Sequence, residues 1–255
     1  MNIIQTIILS IIEGLTEFLP ISSTGHMILA SSIMNISEDA FVKTFEIAIQ
    51  IGAILAIVWI YAKRFFQGIS IYIKLGIAFI PTGILGVFAY PYIKAYLFNP
   101  IIVSISLIIG GIILILIDKK VVNQKSKTDV LESISFKNAF FIGLFQSISM
   151  IPGVSRAAAT IIGGIFNGLD KKQALEFSFL LAVPTMVAAT GYDLYKTPAV
   201  FSHHEIFLGC LGLVIAFVTA WIAVKVFLTL VQNYGFKYFG YYRIILGIIF
   251  LIFIK

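Results

Sequence analysis

Apolar runs alternate with short polar breaks along nearly the whole chain, and the run lengths carry the first information. Ile69 to Tyr90, Asn99-Pro100 to Ile117, Ala174 to Tyr195 and Ile206 to Leu230 each approach or exceed the roughly 20 residues a helix needs to cross a bilayer, and the shorter Tyr242 to Ile254 completes the set. Thr44 to Ala62 does the same and is closed by Lys63 and Arg64. Pro81 and Pro184 fall inside two of these runs and predict kinks, whereas Pro100 suits a first helical turn. Two regions read differently. Ile3 to Phe18 and Met27 to Ile36 are half-length runs on either side of Pro20-Ile21-Ser22-Ser23-Thr24-Gly25-His26. Asn138 to Met150 and Ile161 to Phe166 flank Ile151-Pro152-Gly153-Val154-Ser155-Arg156 in the same way. Each pair predicts a re-entrant hairpin, because a backbone break is tolerated at membrane depth only where protein or a water-filled cavity satisfies it.

This pattern predicts an all-α polytopic membrane protein. Composition agrees: of 255 residues, 60% are hydrophobic and 12% charged, with a mean hydropathy of +1.03. Soluble domains carry about 25% charged residues. A β-barrel would show alternating ten-residue strands, which the chain lacks. The start has no basic segment ahead of its first apolar run, so no cleavable signal is expected. Cys210 is the only cysteine, which excludes an internal disulfide and a thiolate metal cage. The net charge of +6 reads as cytoplasmic-loop lysine and arginine rather than as a nucleic-acid surface.

The chain divides into two similar halves within one membrane domain, 1–255. Asp118 to Lys137 is the one long hydrophilic stretch, with five lysines, and separates a first repeat at about 1–118 from a second at about 138–255, with 119–137 as linker. Pro20 and Pro152 are 132 apart, as are Ser23 and Ser155, Phe45 and Phe177, and Gly52 and Pro184. IIGGIILILIDK and IILGIIFLIFIK match near the two ends. One re-entrant hairpin plus about three full spans per half forces the second repeat to be inverted, a known way to build a polar site within a bilayer. Placing the linker in the cytoplasm puts ten lysines and arginines inside and four outside, in keeping with the positive-inside rule. The first break then opens toward the outer face.

The breaks concentrate the chemistry. Glu13 and Glu17 share a helix face, and a carboxylate inside a bilayer costs about 2.5–3.5 kcal/mol or more, so their presence implies a task. They either hold a divalent cation or orient and deprotonate another group. Glu46 and Gln50 repeat the spacing and direct a second polar face inward. His26 is the histidine placed to shuttle a proton, and Ser23 is a nucleophile if a base lies beside it. Arg156 offers a fork of donors suited to phosphate, at a helix start whose free amides also attract anions. It could pair with Glu13, Glu17 or Glu46, and the inverted second break is expected to bring it near Glu17 across about 140 residues. His203 and His204 read as solvated loop residues.

EGLTEFLPISSTGHM and PGVSRAAAT resemble the motifs of the undecaprenyl-pyrophosphate phosphatase family of the bacitracin-resistance type, and FEIAIQIGAILA and EFSFLLAVP extend the likeness along the chain. The chain departs at Ala157, where the family commonly has serine. The resemblance implies an enzyme of the bacterial inner membrane that hydrolyses the C55 isoprenyl diphosphate to monophosphate and inorganic phosphate. That reaction recycles the carrier for peptidoglycan synthesis and opposes bacitracin. It implies Glu13, Glu17, Ser23, His26 and Arg156 as catalytic residues. Ser22, Thr24, Gly153, Ser155, Arg156, Thr160, Glu46 and Gln50 would bind substrate. Glu13 and Glu17 would be ligands to Mg2+ or Ca2+. The expected partners are the polyprenyl lipid, the bilayer and a second copy of the chain in a homodimer. The competing reading is a transporter or flippase of a phosphorylated polyprenyl lipid, since inverted repeats with broken helices also build transporters.

Overall fold

The computed structural model describes residues 1–97, 99–121, 134–196 and 201–253. Among these the chain is helical, with no strand. In order the helices are α1 (Ile3–Thr16), α2 (Ser23–Ile33), α3 (Ala40–Ala48), α4 (Gln50–Ile60), α5 (Ala62–Phe65), α6 (Ile69–Tyr96), α7 (Pro100–Val121), α8 (Phe136–Ile148), α9 (Arg156–Phe166), α10 (Lys171–Lys196), α11 (His203–Tyr234) and α12 (Lys237–Phe253). Among the described residues five stretches are long and apolar enough to cross a membrane: Ala40–Ile60, Ile69–Ala89, Pro100–Lys119, Lys171–Lys196 and His203–Tyr234. The protein is a multi-pass helical membrane protein. Its outer surface suits lipid, with Trp59, Phe66, Phe88 and many isoleucines exposed. α1, α2, α8 and α9 are short, with 14, 11, 13 and 11 residues.

Several boundaries differ from the sequence reading. The run Thr44 to Ala62 is two helices that meet at Ile49. The second of them lies so close to α11 that a Cβ on Gly52 would strike the Leu213 backbone. Asp118 is not part of a hydrophilic linker. It ends α7 buried at 6% exposure, where its carboxylate accepts from Lys171 Nζ and the Phe236 amide, both at 2.9 Å. The linker's core, 122–133, lies outside the described residues, as does 197–200. His203 and His204 form the exposed first turn of α11, because Ser202 and Glu205 make a reciprocal capping box ahead of the apolar run.

Packing places the two short helix pairs at the centre. α1 packs on α11 and α8 on α6, so each half's entry helix rests on a long helix of the other half. α7 and α12, the two matching end segments, pack together through glycines. A Cβ on Gly111 would stand 2.6 Å from the Gly240 carbonyl, and one on Gly247 would stand 2.7 Å from that of Ser104. Small residues let the backbones touch, the usual basis of helix association in lipid. Ionic groups collect at the ends of this bundle. Arg64 pairs with Glu176 and Lys171 with Asp118 at one end. At the other, the Met1 amino group meets Asp39, Lys43 meets Glu38, and Phe41 touches Phe201.

Candidate functional site

Both breaks end in the same local device. Ser22 and Ser155 precede α2 and α9 with φ of 71° and 73°, and each hydroxyl accepts from the amide three residues on, Gly25 at 3.4 Å and Ala158 at 3.2 Å. A serine with positive φ carries strain of about 1–3 kcal/mol, kept only where the surroundings impose it. The caps therefore pair Ser22 with Ser155, an offset of 133, where the sequence alignment pairs Ser23 with Ser155. Gly153 has φ of 90° and sits so near α7 that a Cβ would lie 2.5 Å from the Val103 carbonyl, so no other residue fits.

Both helix starts face one cavity of about 220 Å³. Glu17, Ser22, Ser23, Thr24, Gln50, Gly153, Ser155 and Arg156 line it. The centre is a chain of three side chains: Ser23 Oγ donates to Glu17 Oε2, and Glu17 Oε1 accepts from Arg156 Nη2 at 2.9 Å. Arg156 also donates to the Ser178 carbonyl at 3.2 Å and stands 5.5 Å from the Phe18 ring, while its Nε is buried without a partner. Of the three ion pairs open to Arg156 from sequence, the structure selects Glu17.

Glu13 lies one turn before Glu17, 1% exposed, with Oε1 lacking a hydrogen-bond partner. It is within electrostatic reach of Glu17, Glu46 and Arg156. Glu46, from α3, also keeps a buried Oε1 unpartnered. Thr160 stands behind the wall, its hydroxyl 2.6 Å from that of Ser178. Ala157, where the resemblance expects serine, is fully buried in the core, so a hydroxyl there would face packing and not the cavity. His26 is placed apart from the cavity. Its Nδ1 lies 2.8 Å from the Ser22 carbonyl, which can only accept, so Nδ1 carries a proton. Its Nε2 lies 2.7 Å from the Tyr242 hydroxyl, with the two rings parallel.

Sequence reasoning missed several polar residues. Thr82, Ser149 and Thr185 line the cavity. Gln146, fully buried, donates to Thr82 Oγ1 at 3.1 Å and accepts from Thr185 at 3.3 Å. Single hydroxyls in apolar helices give no signal, since they bond equally well to the preceding turn. Arg243 was detectable as an arginine within Tyr241-Tyr242-Arg243-Ile244-Ile245. Beside the polar cavity runs an apolar groove of about 410 Å³ between α6 and α10. It shares Thr82, Met150, Thr185 and Ala189 with the cavity and continues past Gly86 to the lipid-facing Val87.

Relatives match along the whole chain. A protein of Persephonella marina described as undecaprenyl-diphosphatase is 53% identical over 100% of both chains. One of Wolinella succinogenes with the same description is 51% identical over 100% of this chain and 99% of its own. One of Campylobacter jejuni, again so described, is 50% identical over 98% of this chain and 94% of its own. Residues 6–249 match the family model for bacitracin resistance protein BacA, and the chain belongs to that family.

Proposed function

We propose that the protein hydrolyses undecaprenyl diphosphate to undecaprenyl phosphate and inorganic phosphate, returning the lipid carrier to peptidoglycan synthesis and so opposing bacitracin. The observation that carries this reading is Glu17 bridging Ser23 and Arg156 at a cavity faced by two helix starts. Arg156 grips the diphosphate, and the free amides at the starts of α2 and α9 add donors for its oxygens. Glu17 supplies the base that makes Ser23 a nucleophile. Ser23 Oγ passes its proton to Glu17 and bonds to the terminal phosphorus as the bridging P–O bond breaks, releasing the lipid monophosphate. Water then cleaves the phosphoserine, giving inorganic phosphate and restoring the hydroxyl. His26 supports this through the Ser22 carbonyl it holds, beside Ser23.

A divalent cation, Mg2+ or Ca2+, fits the residues present. Glu17 meets both the cavity and Arg156, and Glu13, one turn behind it, keeps a buried oxygen without a partner. Glu13 and Glu17 would hold the ion, in keeping with magnesium sites built from one or two carboxylates plus substrate oxygens. When bound it neutralises phosphate charge. The groove between α6 and α10 takes the start of the isoprenyl tail, which reaches the bilayer past Val87.

The architecture we infer is a pair of inverted repeats in one membrane domain, each with a re-entrant hairpin. Matching caps at Ser22 and Ser155, matching short helix pairs, and the reciprocal packing of α1 on α11 and α8 on α6 support it. The end bearing Arg64, Asp118 and Lys171 faces the cytoplasm and the first hairpin enters from the periplasmic side of the inner membrane, on the strength of the lysine and arginine bias. The paired breaks also suit a flippase. Phosphate release by purified protein in detergent decides between them, because detergent has no sides. Cation-dependent release from C55 isoprenyl diphosphate is expected; binding without release would favour transport.

A further inference from the structure

Arg243 lies in the middle of α12, fully buried, and among the described residues it is the largest side chain with so little exposure. All five of its N–H donors meet main-chain carbonyls. Nε donates to Leu107 at 3.3 Å. Nη1 donates to Pro20 at 2.9 Å and to Val154 at 3.0 Å. Nη2 donates to Ser106 at 3.1 Å and to Gly153 at 2.9 Å. Pro20 belongs to the first break, and Gly153 and Val154 to the second. One guanidinium thus ties together two breaks about 133 residues apart, and fastens both to α7. α7 is shaped for it: a Cβ on Gly110 would stand 2.7 Å from Arg243 Cζ. The preceding residue, Tyr242, holds the first break a second time through His26.

We propose that Arg243 is a positioning residue for the diphosphate site, setting the two anion-binding helix starts relative to each other. In a trans peptide the carbonyl and amide of one unit point in opposite directions. Gripping the Val154 carbonyl turns the Ser155 amide away from Arg243, toward the side on which Ser155 lines the cavity. Gripping Pro20 fixes the approach to Ser22 and Ser23 in the same frame. The same clamp pulls the strained caps into place, which accounts for two serines keeping positive φ. Among the described residues no carboxylate pairs with this guanidinium, so its field adds to that of Arg156 just behind the cavity wall. Only arginine can do this: a lysine has three donors on one atom and cannot span five carbonyls.

The proposal rests on the diphosphatase reading, and its test separates the two. Purified full-length Arg243→Met and Arg243→Lys proteins are compared with wild type for kcat and KM on C55 isoprenyl diphosphate. The inhibition constant of inorganic pyrophosphate is measured alongside. KM and the inhibition constant do not depend on the fraction of folded protein, so a role confined to stability leaves both unchanged. The expected result for Arg243→Met is a rise of at least tenfold in both and a fall in kcat of at least 100-fold, with Arg243→Lys between it and wild type. Unchanged constants in either variant overturn the proposal. Should Arg243→Met fail to fold, Gly110→Ala keeps every donor but displaces the guanidinium, and the same constants must rise in it; unaltered constants there overturn it equally. A wild type that binds pyrophosphate, as read by calorimetry, yet releases no phosphate removes the diphosphatase reading. The pyrophosphate affinities of the variants then still decide the positioning role.

Discussion

Glu17→Gln separates the roles of one carboxylate that meets two partners. The glutamine keeps the volume, and its amide oxygen can still accept from Arg156 Nη2, which Glu17 Oε1 does at 2.9 Å. Arg156, with its side chain 11% exposed, is therefore not left bare, and the cost of about 3–5 kcal/mol for orphaning a buried ion is largely avoided. The variant should insert and purify. What it loses is the oxygen that accepts from Ser23. An amide NH2 in that place cannot take a proton, so the general-base contribution disappears, typically 10²–10⁴-fold. At about 1.36 kcal/mol per tenfold, that is roughly 3–5 kcal/mol of transition-state stabilisation. On the proposed reading Glu17 is also one of two cation ligands, so its loss is expected to weaken divalent-ion affinity. The assay is phosphate release from C55 isoprenyl diphosphate in detergent across a titration of Mg2+ and of Ca2+. Expected are a kcat at least 100-fold lower and a higher half-saturating ion concentration. A variant with wild-type rate and wild-type ion dependence would remove Glu17 from the chemistry.

Arg156→Ala should lower kcat/KM by orders of magnitude while the protein still purifies, and Arg156→Lys should recover it only in part, because a point charge replaces a bidentate fork; near-normal turnover of the alanine variant sinks the clamp. Gly86→Leu fills the apolar groove at a helix position where a Cβ meets no atom within 4 Å, so the fold is spared. It should reduce kcat/KM for the C55 substrate about tenfold or more and leave a C15 isoprenyl diphosphate little changed, and equal effects on both lengths would place the tail elsewhere. Sidedness is read with single cysteines in a Cys210→Ser background and a membrane-impermeant thiol reagent on intact cells. Exposed His203→Cys should react and exposed Gln67→Cys should not, and the opposite pattern reverses the orientation.

The sequence carried the membrane class because lipid imposes long apolar runs, and it located both breaks because proline, glycine and clustered polar residues interrupt those runs visibly. Glu17, Ser23 and Arg156 stood out for the same reason: each is costly in that setting. The inverted second break also brought Arg156 near Glu17 across 139 residues, as the structure has it, but the hydrogen bond from Ser23 to the same carboxylate carried no sequence signal. Asp118 was misplaced because it sits at the junction of an apolar run and a lysine-rich stretch, and only tertiary contacts with Lys171 and Phe236 show that it is buried. The joint between α3 and α4 at Ile49 has no proline beside it to mark it in the sequence. The separation of His26 from the cavity turns on one partner, Tyr242, that lies 216 residues away.

The likeness between the halves extends to scaffold and stops at chemistry, and this bears on how the site works. At the offset of 133 set by the caps, Glu13 corresponds to Gln146 and Glu17 to Met150. Gln146 is fully buried and satisfied by Thr82 and Thr185, where Glu13 keeps an oxygen without a partner. The first position of α9, which matches Ser23 at the start of α2, is Arg156 itself. Each half thus contributes a helix start, a cap and a break, while Glu17 and Ser23 come from the first and the guanidinium from the second. A symmetric arrangement would set two like charges at the centre: two carboxylates that repel the substrate, or two guanidinium groups with no base beside the serine. Dividing the groups between the halves places opposite charges across the cavity at 2.9 Å, and Arg243 holds the two breaks in the register that brings them together.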